Sequence, residues 1–222
     1  MFFNKRNKRK DIQKMKIALD KTNFVVENGK LFINIDDNEI NSLFDSGLVL
    51  IGSLNPKDTF KIGNREFMVV DKDDSGVYII SKGFTHTMKF GETADWKNSN
   101  IRKVLNDKFL TEIANVVGNS NIIPLHRNLL SMDGLSDYGT CEDKITLLSM
   151  DEYRKYHEVL GVNKQYGDWW WTITPTSTPS NGYARGVCCV DSGGILGWSG
   201  CGCCGGVRPF LKLESSVLVS LT

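Results

Sequence analysis

Five of the six cysteines, Cys188, Cys189, Cys201, Cys203 and Cys204, crowd into one short segment, and Cys141 stands alone upstream. Thiols at that density suggest a soft-metal site, a disulfide framework or a nucleophile, and spacing separates the three. Tetrahedral zinc takes thiolates about two to four residues apart, so that both reach one ion. Here Cys188-Cys189 and Cys203-Cys204 are adjacent and Cys201-x-Cys203 is one residue short. Adjacent strand residues point to opposite faces, so spacing predicts free thiols and no metal. Nor are these the spaced half-cystines of a small secreted scaffold.

Nucleophilic catalysis needs a base beside Ser or Cys, but His86, His126 and His157 lie in no recognisable motif. Asp71-Lys72-Asp73-Asp74-Ser75-Gly76 opens like a calcium loop. The bidentate Glu such a loop requires would fall at Lys82, and the flanks read as strands, which predicts a β-turn. Gly200-Cys201-Gly202-Cys203-Cys204-Gly205 lacks the Lys-Ser/Thr of a phosphate loop. No cofactor is expected. Trp169-Trp170-Trp171 read as a strand puts the outer rings on one face and the middle ring on the other, as in a buried strand with one ring at a rim.

The elements that position these residues follow from composition and period. A chain of 222 residues, 41% apolar and 24% charged, is globular and sized for one domain with an extension. A net charge of +1 gives no global field toward nucleic acid or anionic lipid. The longest apolar runs, Gly47 to Leu54 and Ser216 to Leu221, are too short to span a membrane. The first 20 residues form a basic arm that lacks the apolar stretch of a classical signal peptide. Leu31 to Ile35, Thr59 to Ile62, Arg65 to Val70 and Val77 to Ile80 read as strands, and residues 57 to 81 as an antiparallel meander. Ile101, Val104, Leu105, Phe109, Ile113 and Val116 recur at helical spacing, with Ser99 or Asn100 as N-cap and Gly118 after the last turn. Ser149-Met150-Asp151-Glu152 is a capping box opening a second helix that ends at Gly161. Residues 119 to 146 read as a long loop with one strand into Leu147-Leu148. The chain divides into an extension, residues 1–54, for assembly or anchoring, and a domain over 55–222.

The order of these features carries a resemblance. Trp96-x4-Ile101-Arg102 opens one helix and Asp143-Lys144-Ile145-Thr146-Leu147-Leu148-Ser149 precedes the other. Then come Trp169-Trp170-Trp171-x-x-Thr174-Pro175 and Gly206-Val207-Arg208-Pro209. Together, over about residues 57 to 213, they resemble the C-type-lectin-fold variable proteins of diversity-generating retroelements in phages and bacteria. The resemblance implies an α+β, C-type-lectin-like fold with antiparallel strands, two helices and a loop-rich C-terminal ligand-binding face. In that family reverse transcription replaces template adenines at random, so AAC codons become residues scattered over the ligand face. From AAC, changes at the first two bases never reach Trp, Lys, Glu, Met or Gln. From Thr172 to Gly205 only Trp198 lies outside the reachable set.

On this likeness the ligand face comprises Thr172, Ile173, Thr176, Tyr183, Arg185, Cys188, Asp191, Ile195, Trp198, Ser199, Cys201, Cys203 and Cys204, while Trp170, Pro175, Arg208 and Pro209 belong to the scaffold. The implied function is binding a surface protein or other macromolecule, without catalysis, from a phage virion or from a bacterial cytoplasm or surface. Copies would assemble through the N-terminal region. Two rivals remain at this stage: a virion assembly protein, and an enzyme like the formylglycine-generating enzymes, which share the fold.

Overall fold

The computed structural model describes residues 24–27, 30–33, 47–161 and 168–222. Over these the chain is an α+β protein made mostly of strands. β1 (Phe24–Glu27) and β2 (Lys30–Ile33) form an antiparallel hairpin. The basic arm over residues 1–20 lies outside the described residues. Next come β3 (Leu48–Leu50), β4 (Thr59–Ile62), β5 (Arg65–Asp73), β6 (Gly76–Ser81) and β7 (His86–Lys89). A helical stretch leads to β8 (Ile122–Ile123), β9 (Leu125–Asn128), β10 (Thr140–Asp143) and β11 (Ile145–Thr146). After a second helix the chain ends in β12 (Trp169–Pro175), β13 (Gly186–Asp191), β14 (Leu196–Gly200), β15 (Cys204–Val207), β16 (Phe210–Leu213) and β17 (Leu218–Leu221).

The larger sheet has the order β11-β16-β6-β5-β4-β17-β3, with β8 also on β16. The smaller runs β14-β13-β12-β15-β7, antiparallel except where β12 meets β15. Residues 57 to 81 are the expected meander, β4 to β6. The acidic run is the β5–β6 turn: Asp73 accepts the Ser75 amide at 2.9 Å, and Gly76 stands at φ +153° with the Leu213 carbonyl where a Cβ would go.

Lys212 reaches this turn from β16, where it is buried. Its ammonium donates to both Asp73 oxygens, to Ser75 Oγ and to Tyr78 Oη. That contact, with help from Ser75, holds the Asp73 carboxyl far below the usual carboxylate range. A depressed carboxyl stabilises the fold above its ordinary pKa and loses that contribution as pH falls. Asp73→Asn should therefore cost about 1 kcal/mol at pH 7, a modest figure because this carboxylate is half exposed. Denaturant melts should show the gap to the parent protein narrowing below about pH 4.

The first helix starts as its period requires. Ser99 Oγ accepts the Arg102 amide at 3.0 Å, opening α1 (Asn100–Val104). A π turn, Leu105–Phe109, follows without any signal in the apolar period, and α2 (Leu110–Val117) stops at Gly118, φ +84°. The π turn holds Asn106, whose side-chain amide pairs with both backbone groups of Ile145. α3 (Met150–Leu160) carries the complete capping box, and Gly161 ends it at φ +60°.

Two expectations are corrected. Residues 119 to 146 hold four strands, β8 to β11, rather than a loop with a single strand. Two of them are two residues long and pair with β16, a partner far away in sequence, so no local period marks them. The boundary expected after residue 54 also falls inside the packed unit. The two longest apolar runs find each other as β3 and β17, Leu50 opposite Leu218, and Ile51 and Leu54 are buried in the core. Among the described residues, no helix is long and apolar enough to cross a membrane.

Candidate functional site

The motif residues that are far apart in sequence meet in a buried frame. Asp143, at the end of β10, accepts the Trp96 indole N–H and the Arg102 Nε, each at 2.7 Å. Cys141 Sγ lies 3.5 Å from the same carboxylate, and burial followed by that charge pushes its thiol up to about 11. Thr174 Oγ1 accepts the Met150 amide at 2.9 Å, tying β12 to the first turn of α3. The Arg208 guanidinium stacks 5.0 Å from the Trp170 ring centre and donates to the Ser81 carbonyl. Pro175 and Pro209 are buried, and their carbonyls accept the Met132 and Ser81 amides.

β12 divides the interior as the alternation of the tryptophans requires. Trp169 and Trp171 meet edge to face at 4.6 Å on one side, while Trp170 packs with Tyr153, Val190 and Phe210 on the other. The Phe84 and Trp169 rings pack directly against β15, where a Cβ at Gly206 or Gly205 would collide with them. Gly205, inside the stretch expected to vary, is therefore fixed by close approach.

β14 is one of the two edge strands of the smaller sheet among the described residues, with β7 at the other end, and it carries the exposed aromatic face. Trp198 is 60% exposed and Tyr183, 43% exposed, meets it edge to face at 6.4 Å. Ile195 is 66% exposed, and Arg185, Cys203 and Cys204 are exposed as well. Ser199 is half-buried. So is Asp191, whose Oδ1 accepts the Gly193 and Ile195 amides at 2.8 Å and thereby shapes the turn.

Five residues expected on the ligand face are inside the protein instead: Thr172, Ile173, Thr176, Cys188 and Cys201. The reason is that β12 and β13 are central strands, with core on both faces. Thr172 and Ile173 belong to β12, and Thr172 Oγ1 donates to the Cys188 carbonyl at 2.8 Å. Thr176 lies against Gly186, and Cys201 ends β14 by donating its amide to the Arg185 carbonyl before turning into the core. Cys201→Tyr should therefore destabilise by about 1–3 kcal/mol through overpacking, which thermal melts will register.

All six thiols are free. Burial raises Cys188 and Cys189 to about 11. Native protein at pH 8 should expose two fast thiols to Ellman's reagent, Cys203 and Cys204, with the other four reacting only on unfolding.

Two features had no signal in the sequence. Met132, 52% exposed, covers Cys188 with its Sδ 3.9 Å from the thiol and so extends the apolar face beyond β14. A cleft of about 220 Å³ opens at the start of α3, lined by His126, Ser131, Thr174 and the ion pair of Arg127 with Glu152. Both lie in or beside the stretch whose strands have no local period. No group of three or more His, Cys, Asp or Glu among the described residues is placed to hold a metal.

No curated protein and no solved structure matches the chain. The model of one family, described as a domain of unknown function (DUF6273), matches residues 75–215, and with well over half of its length matched in this way the chain belongs to that family.

Proposed function

We propose that this chain is a binding protein with a C-type-lectin-like domain, its smaller sheet presenting a surface diversified by a retroelement for recognition by a phage or its bacterial host. The observation that carries the reading is the contrast between frame and edge. The motif residues Trp96, Arg102, Asp143, Trp170, Thr174 and Arg208 are interlocked in or beside the core, whereas Tyr183, Arg185, Ile195 and Trp198 stand exposed on or beside one strand. Side chains can change freely only where close packing does not fix their volume. Large aromatic and Arg side chains are also the usual anchors of protein interfaces. Antiparallel strands and two helices agree with the lectin-like architecture at the level of element types, with the C-terminal face built on strands rather than on loops.

The ligand face narrows accordingly to Tyr183, Arg185, Ile195, Trp198, Ser199, Cys203 and Cys204. Sequencing the gene and its flank across a natural population tests this. The expected result is adenine-directed substitution concentrated at the codons of Tyr183, Arg185, Ile195, Ser199, Cys203 and Cys204, with Trp198, which AAC codons do not reach, held constant among them, beside a template repeat and a reverse transcriptase. Uniform substitution, or variation centred on Thr172, Cys188 and Cys201, would sink the proposal.

A further inference from the structure

We infer that the free edge of β14 receives an extended peptide segment of the ligand by strand addition; this rests on the binding reading above and names the ligand's chemistry. The ladder between β13 and β14 is bracketed by two backbone bonds, Asp191 N–H to the Ile195 carbonyl and Cys201 N–H to the Arg185 carbonyl. Antiparallel pairs alternate between bonded and non-bonded, so residues 195, 197, 199 and 201 turn inward to β13. Leu196, Trp198 and Gly200 turn their backbone groups to the free side, where the Gly200 carbonyl already accepts the Cys203 amide.

Edge strands are ordinarily blunted by Lys, Pro, a bulge or a covering element. β14 reads Leu-Gly-Trp-Ser-Gly, with no charge and no proline, and pairs with β13 in unbroken register. Its five residues give an edge of about 17 Å. That length suits a short extended segment and falls well short of the roughly 800 Å² per partner of a stable dimer interface, so a peptide is favoured over a second copy. The side chains define the rest of the occupant. Trp198 and Tyr183 offer an apolar wall on one face of the edge. Arg185 is exposed at the far end of β14 and makes no ion pair among the described residues, so it asks for a carboxylate. The segment is therefore extended, apolar opposite Trp198 and acidic near Arg185. Main-chain bonds would hold it whatever the neighbouring side chains are, which suits a face whose side chains vary.

A phage-displayed library of random seven-residue peptides, panned on the full chain, supplies the probe. Selected peptides are expected to place an aromatic or aliphatic residue and an acidic one at alternating positions. N-methylation of alternate amides in such a peptide should weaken binding at least tenfold, and methylation of the intervening amides should leave it unchanged. Trp198→Pro, which removes the outward N–H without touching the β13 ladder, should abolish binding with the melting temperature preserved, while Trp198→Val retains part of it. Binding that is lost in Tyr183→Ala but shows no alternation in the N-methyl series would overturn strand addition and leave the binding face standing. A library yielding no peptide, or sedimentation showing a dimer that Trp198→Pro dissolves, would overturn the proposal as well.

Discussion

Asp143→Ala should cost about 3 kcal/mol, because it orphans two donors at once. The Trp96 indole N–H is fully buried and has its 2.7 Å bond to this carboxylate, and the Arg102 Nε makes the second. An unsatisfied buried N–H costs roughly 1–3 kcal/mol, and a bond to a charged group contributes about as much. Arg102 is partly exposed and recovers some of its share from water, which keeps the total below that of a fully buried ion pair. Asp143→Asn is the discriminating partner variant. It keeps an acceptor for one donor and loses the charge, so it should fall between the parent and Asp143→Ala. Urea melts followed by circular dichroism, with unchanged slope, will check both. Equal stability of all three proteins would show that the network does not hold the frame.

Two tryptophans separated by 28 positions should behave in opposite ways. Trp170→Ala should destabilise by about 3–5 kcal/mol, the usual cost of deleting a buried large aromatic. Its ring is fully buried, 5.0 Å from the Arg208 guanidinium and 5.7 Å from the Tyr153 ring, so its removal leaves a cavity between a cation and a helix. Trp198→Ala should change stability by less than about 1 kcal/mol, as exposed substitutions do, while removing the largest contact side chain of the proposed face. Thermal melts and binding to panned peptides, measured on the same two variants, separate frame from face. If Trp198→Ala unfolds the protein and Trp170→Ala does not, the division between them is wrong.

Much of the local structure was legible in the residues themselves. The caps at Ser99 and Ser149, the stops at Gly118 and Gly161, the meander and the turn at Asp73 to Gly76 each depend on neighbours a few positions away. The tryptophan triplet also told its own geometry, since alternation alone sends Trp170 to one side and Trp169 and Trp171 to the other. The π turn, the strands β8 and β11, and the joining of β3 to β17 were not legible, because their partners are remote in sequence and short strands carry no period of their own.

The same physics divides the candidate site. The resemblance pointed to residues 172 to 205 as one ligand-facing stretch. It could not say which strand would be central and which would be the edge. Tertiary pairing decided that β12 and β13 are enclosed and β14 is open, and so placed Thr172, Ile173 and Cys188 within the core and left Trp198 in solvent. Exposure is a property of where a strand sits in its sheet, which is set by partners on both sides and not by the residues of the strand itself.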